Sequence, residues 1–306
     1  MKGPVVVLGA AVGIGRAVAQ AVVDAGRALI AVSDDPASLK RLKAEFRGVD
    51  LTLVRGSIAD DRSSAELAAA LRNLDRPLAG IVVAIHREPD RGRVLEQATD
   101  VLRQSVIEEV LPQLAAARAL LPLLAEAGRN GRYVVIGGPG SEHPWAGYGH
   151  RSISAAATRM LLRVLHDEAR ALAVRVQLLA VDMPARTADN SKHACGQWPD
   201  AIDIGERALA LIDQTDPREP AEAVVRYAWN SVPPSLRKAV DIRAARSTNK
   251  QQMHDQRAIH ARKTPRSTSS ASSRNPTSSD SVPNDSSPLP NLDDTWALLK
   301  LLSLNH

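Results

Sequence analysis

The chain is poor in the features that would have marked out several function classes. Cys195 is the only cysteine, which excludes an internal disulfide framework and points to a reducing, cytoplasmic setting. Cys195 as a nucleophile stands beside the plainer reading of a lone loop thiol. No continuous apolar run reaches the roughly 18 residues that a membrane span requires, so no span and no membrane partner are expected. The apolar run behind Lys2 carries three spaced glycines and passes into an amphipathic helix, so it reads as mature structure and not as a secretory signal. Net charge is only +5. The excess is local, with six Lys/Arg against one Asp between Lys250 and Arg274. That basic run has no interleaved aromatics and no recognisable binding module, so a nucleic-acid partner is not expected. No metal site is expected either. With 306 residues the chain has room for one large α/β domain and an appendage, not for a second full domain.

What is present begins at the N-terminus. Residues Pro4 to Ala19 read PVVVLGAAVGIGRAVA: a β-branched run, then Gly9, Gly13 and Gly15, then helical spacing. A strand without polar interruption is one covered on both faces of a parallel sheet. Glycines at the following turn permit the chain to reverse, allow close approach of a pyrophosphate and let the next helix pack on the strand. The free amides opening that helix at about Ile14 then face the phosphates, where the helix dipole favours negative charge. Asp34 stands about 20 residues beyond the last loop glycine, at the end of the second expected strand, where a dinucleotide fold carries a ribose-binding acid. A carboxylate there accepts the ribose hydroxyls and repels a 2′-phosphate, favouring NAD over NADP. The competing reading makes Asp34 the cap of a helix starting near Pro36.

The spacing Gly9-x-x-x-Gly13-x-Gly15 resembles the nucleotide loop of the short-chain dehydrogenase/reductase family, with Leu8 where that family commonly has threonine. The resemblance covers roughly residues 3 to 245 and implies an α/β, Rossmann-type doubly wound parallel sheet in three layers. It also implies NAD(P)-dependent hydride transfer on a small alcohol or ketone, and a homo-oligomer paired through helices. By position it assigns Ser57 to the adenine side, Thr187 to the carboxamide side and Tyr148 to the family's Tyr-x-x-x-Lys tyrosine. The same alignment exposes departures. Glu109 falls near the family's active-site asparagine, Gly138 at its substrate serine and Ser152 at its lysine. Ser141 reaches the substrate only if its loop folds back, and His86 ends the fourth strand where an Asn-Asn-Ala-Gly stretch is usual.

Of the four cooperating groups only the tyrosine survives. Arg151 is the candidate replacement cation, since i+3 and i+4 both lie near position i on a helix; the alternative is that it points to solvent. Tyr148 itself is open to a plain packing role. The second reading of the whole chain is therefore a catalytically silent NAD(P)-binding sensor or scaffold.

Along the chain the texture predicts helices at Ile14–Ala25, Ser63–Leu74, Ser152–Ala157, Ile204–Ile212 and Pro220–Trp229, and one long helical pattern at Thr99–Ala127 that contains Pro112 and Pro122. Strands are expected at Ala28–Val32, Leu51–Arg55, Ala79–Ile85, Arg132–Ile136, Val174–Ala180 and Arg237–Ile242. The irregular, polar stretch Met183–Asp203 suits a substrate lid. Residues 246–291 form a Ser/Pro-rich linker too poor in apolar side chains to fold. Residues 292–306, with Trp296, Leu299 and Leu302, are a candidate short helix for a protein partner.

Overall fold

The computed structural model describes residues 3–85, 91–128, 131–214 and 222–227. These fall within the compact unit Met1–Pro233. His86, the expected strand Arg237–Ile242, the linker and the C-terminal helix lie outside the described residues.

Among the described residues, seven parallel strands form one sheet in the order β3-β2-β1-β4-β5-β6-β7. They are β1 Val5–Leu8, β2 Leu29–Ser33, β3 Leu51–Arg55, β4 Gly80–Val83, β5 Arg132–Ile136, β6 Arg175–Ala180 and β7 Val224–Arg226. The helices are α1 Gly13–Asp24, α2 Pro36–Glu45, α3 Asp61–Arg72, α4 Thr99–Glu109, α5 Leu111–Glu126, α6 Gly149–Glu168 and α7 Ala201–Asp213. The order reverses between β1 and β4, the switch point outside whose carboxyl ends ligands bind in open α/β sheets.

The uninterrupted apolar strands follow from a core on each face. Val6, Leu8, Ile81 and Val83 point to one side and pack with Leu67, Leu71, Leu120, Leu124 and Leu162. Val5, Val7, Leu29 and Val82 point to the other and pack with Val18, Val22, Ile204 and Ala208. Each face removes alternate side chains from water, so both parities of the strand must be apolar. The expected three-layer α/β class is the observed one.

Two expectations need correction. The long pattern at Thr99–Ala127 is two helices that meet at Val110. Pro112 has no amide to give and crowds the carbonyl four residues back, so it starts α5 instead of continuing α4. The helix expected over Pro220–Trp229 is contradicted at Val224–Arg226, which forms the edge strand β7 against Leu178, Leu179 and Ala180. The exposed edge of β6 rewards a β-branched Val224–Val225 pair with ladder hydrogen bonds that local helical spacing cannot outweigh.

Candidate functional site

The carboxyl edge of the sheet is built from the first turn of the chain. Gly9 has φ +78°, and a Cβ there would meet the Ala84 carbonyl oxygen at 2.8 Å. A Cβ at Gly15 would stand 2.1 Å from the Gly9 carbonyl oxygen, so α1 rests directly on the loop and only glycine fits. The residue before α1, Val12, offers no side-chain cap and the first turn holds no acid. Helix-start amides are left to an outside acceptor. The Gly13 amide has taken one: it donates to Asp189 Oδ2 at 3.1 Å.

On one side of the loop lies a cavity of about 450 Å³ lined by Gly9, Val12, Asp34, Ser57 and Ile58 among others. The cap of α2 is Asp35, not Asp34: the Asp35 carboxylate accepts from the Ala37 amide at 2.9 Å and the Ser38 amide at 3.0 Å. The Ser38 hydroxyl, with these amides, holds the Asp35 carboxyl below the usual carboxylate value. Pro36 fixes the helix entry one residue later than Asp34 needs for capping, and Asp34 is left exposed at the cavity wall. Ser57 lines the same wall while its Oγ accepts from the Ala59 amide at 3.2 Å. Asp60 caps α3, accepting from the Ser63 amide at 2.7 Å.

On the other side lies a cavity of about 420 Å³ bounded by Gly13, Gly138, Trp145, Arg151, Thr187 and Asp189. A smaller one of about 220 Å³ adjoins it, lined by Glu109, Gln113, Gly138, Ser141 and Arg151. Arg151 thus borders both. Its side chain is 12% exposed and its Nη1 lies 3.9 Å from Glu109 Oε1, so it is not turned to solvent. The cation at the Tyr148 hydroxyl is a different one. Arg91 Nε donates to that oxygen at 2.6 Å, with its guanidinium carbon 5.6 Å from the ring centroid. Trp145 stacks on the same ring at 4.1 Å.

Ser152, which the resemblance sets at the family's lysine, is buried and works on the backbone. Its Oγ accepts from the Trp145 amide at 2.9 Å and donates to the Tyr148 carbonyl at 3.0 Å. Ser141 is buried beside Arg159, whose Nη1 lies 3.4 Å from its Oγ. Thr187 sits in the stretch between β6 and α7, where its Oγ1 accepts from the Asn190 amide at 3.3 Å and its own amide donates to Asn190 Oδ1 at 2.8 Å. Cys195 is an exposed free thiol in the same stretch. Arg91 and Asp189 were not legible as site residues, because no spacing ties them to partners 57 and 176 positions away.

A parallel sheet with its glycine loop at the switch point, a carboxylate after the second strand and cavities on both sides of the loop define an α/β fold of the dinucleotide-binding type. The comparisons narrow the class. Residues 4–193 match the short chain dehydrogenase family, and the chain belongs to that family. A search of curated proteins finds no match. Among solved structures, a short-chain dehydrogenase from Streptomyces avermitilis is 23% identical with TM-score 0.60, covering 83% of this chain and 97% of its own. An NADPH-bound short chain oxidoreductase from Pseudomonas aeruginosa PAO1, which contains an atypical catalytic center, is 16% identical with TM-score 0.64 over 74% of this chain and 96% of its own. An alcohol dehydrogenase from the archaeon Thermococcus sibiricus, complexed with 5-hydroxy-NADP, is 18% identical with TM-score 0.61 over 76% and 98%. At these identities the likeness is one of fold.

Proposed function

We propose that the protein is an oxidoreductase of the short chain dehydrogenase family that binds a nicotinamide dinucleotide across the glycine loop and acts on a small alcohol or ketone. The observation that carries this reading is the pair of cavities flanking Gly9 and Gly13. The residues fit the cofactor: helix-start amides without a side-chain cap at Val12 for the diphosphate, Asp34 and Ser57 for the adenosine end, and Thr187 with Gly138 at the far end. The nicotinamide ring, when bound, supplies hydride chemistry. NAD is preferred to NADP because the Asp34 carboxylate, freed from capping by Asp35, repels a 2′-phosphate.

The chain's own contribution is at the substrate oxygen. Arg91 donates to the Tyr148 oxygen and, as a donor-only guanidinium, cannot accept the phenol hydrogen. The phenol hydrogen is therefore left to point to a substrate oxygen, and the guanidinium stabilises the charge that remains when it is transferred. In this reading Arg91 takes the place that the sequence offered to Arg151. Arg151, held by Glu109, borders both cavities and is placed to orient a polar substrate.

The second reading, a catalytically silent NAD(P)-binding sensor or scaffold, is favoured by one observation: the lysine position is a buried serine committed to the Trp145 and Tyr148 backbone. NADH binding by fluorescence followed by a dehydrogenase screen separates the two. Turnover that falls about 100-fold or more in Tyr148→Phe supports the enzyme; binding without any Tyr148-dependent turnover supports the sensor. A homo-oligomer completes the proposal. Ile153, Met160 and Val164 of α6 are 42%, 55% and 46% exposed and lie along one side of the helix, as an apolar stripe awaiting a second copy does. Light scattering of the full chain, with Met160→Glu as the disrupting variant, tests it.

A further inference from the structure

A helix-start amide on the carboxyl edge, that of Gly13, already donates to a carboxylate of the protein itself. We infer that Asp189 is a latch, an internal carboxylate that occupies the Gly13 amide in the ligand-free chain and must swing out before a diphosphate can take its place. The latch is a property of the ligand-free protein; the claim about what it excludes rests on the dinucleotide reading above.

Asp189 is held in place by a constructed turn. The Thr187 amide donates to Asn190 Oδ1, and Asn190 Nδ2 donates to the Ala185 carbonyl at 2.9 Å. At the neck of the lid, Arg186 makes a two-pronged contact with Asp200, 2.6 Å in each arm. The Arg186 amide donates to the Pro199 carbonyl at 2.8 Å, and the Ala201 amide to the Arg186 carbonyl at 2.9 Å. Both ends of the lid are thus tied together, and Asp189 is carried on the turn immediately beyond that neck.

Its surroundings suit a contact that opens. Asp189 and its neighbour Ala188 are exposed, so an outward swing unpacks no core. The carboxylate borders the cavity on the far side of the loop and a second, outer cavity of about 450 Å³ that also contains Arg16. Arg16 is already bound in a two-pronged contact to Glu45, so it adds attraction without a competing hydrogen bond. A diphosphate brings negative charge to the same amide. Two anions cannot share one donor at hydrogen-bond distance without strong repulsion, so entry of the diphosphate and closure of the latch exclude one another.

Any adenine ligand with a diphosphate therefore competes with Asp189, whereas adenosine, which has no phosphate, does not. Two readouts on the full chain test this with Asp189→Ala and Asp189→Asn. Without ligand, trypsin cleavage after the exposed Lys192, followed by mass spectrometry, accelerates about threefold or more in Asp189→Ala, because an exposed charge-assisted contact holds the lid by that order. With ligand, ADP and NADH bind about three- to tenfold more tightly to Asp189→Ala, Asp189→Asn falls between, and adenosine binds all three forms alike. Cleavage at Lys192 that is no faster in Asp189→Ala overturns the latch. So does an ADP affinity that improves no more than the adenosine affinity. If neither ADP nor NADH binds any form, the dinucleotide reading fails, and the cleavage comparison still decides whether Asp189 restrains the lid.

Discussion

The carboxyl edge of the sheet has two halves that differ in what holds them to their purpose. On the β1-β2-β3 side the ligand-facing groups are mostly backbone: the Gly9 turn, the Gly15 contact and the start of α1, which Val12 leaves without a side-chain cap. These are inseparable from the fold, since a Cβ at Gly15 would collide with the Gly9 carbonyl. On the β4-β5-β6 side the groups facing the cavities are mostly side chains, and the family resemblance aligns Glu109, Gly138 and Ser152 with its asparagine, serine and lysine positions. A side chain can be replaced at the cost of its own contacts alone, whereas a loop glycine takes the strand-helix packing with it. On this reasoning a binding seat built from backbone is harder to lose than a catalytic set built from side chains.

The largest effect expected from this contrast belongs to Gly15→Val. Branched carbon placed against the Gly9 carbonyl should lower stability by at least about 3 kcal/mol and abolish NADH binding, as measured by urea denaturation and fluorescence. A stable, binding-competent variant would erase the distinction between the halves. Ser152→Lys is the matching test on the other side. It puts an ammonium where a buried hydroxyl bridges two backbone groups, so stability should fall by about 1–3 kcal/mol without new turnover. A gain in dehydrogenase activity would show that the lysine alone was missing. Asp34→Arg sharpens the binding half: the ratio of NADPH to NADH affinity should rise about tenfold, some 1.4 kcal/mol, as a repelling charge becomes an attracting one.

The smallest effect is at the lid neck. The Arg186 guanidinium holds the Asp200 carboxyl below its ordinary value of 3.8. A carboxyl whose value is lowered on folding adds stability that is complete above the ordinary value and disappears as pH falls through the folded one. Exchange of the Arg186 and Ala201 amides, corrected for intrinsic rate, should therefore quicken below about pH 4 while amides of β1 stay protected.

The same contrast explains what could be read without coordinates. Apolar runs and glycine punctuation are local signals, so the three layers, most strands and the Gly9, Gly13 and Gly15 loop were legible. Pro112 was visible inside the long helical pattern, but nothing local says whether a proline ends one helix or bends it. β7 was missed because three residues give too little periodicity to outweigh a helical reading. Asp34 and Asp35 are adjacent acids, and only the geometry of the turn assigns capping to one and the cavity wall to the other. The Arg91–Tyr148 and Asp189–Gly13 contacts join positions far apart in the chain, and such side-chain pairs leave no spacing to find.

The central claim is that the first turn of the chain still receives a dinucleotide. Titration of the full chain with NADH, followed by the cofactor's fluorescence and competed with ADP, tests it most directly. Saturable binding at one site per chain, displaced by ADP, is the expected result. Absence of binding by NADH, NADPH and ADP alike would contradict the account.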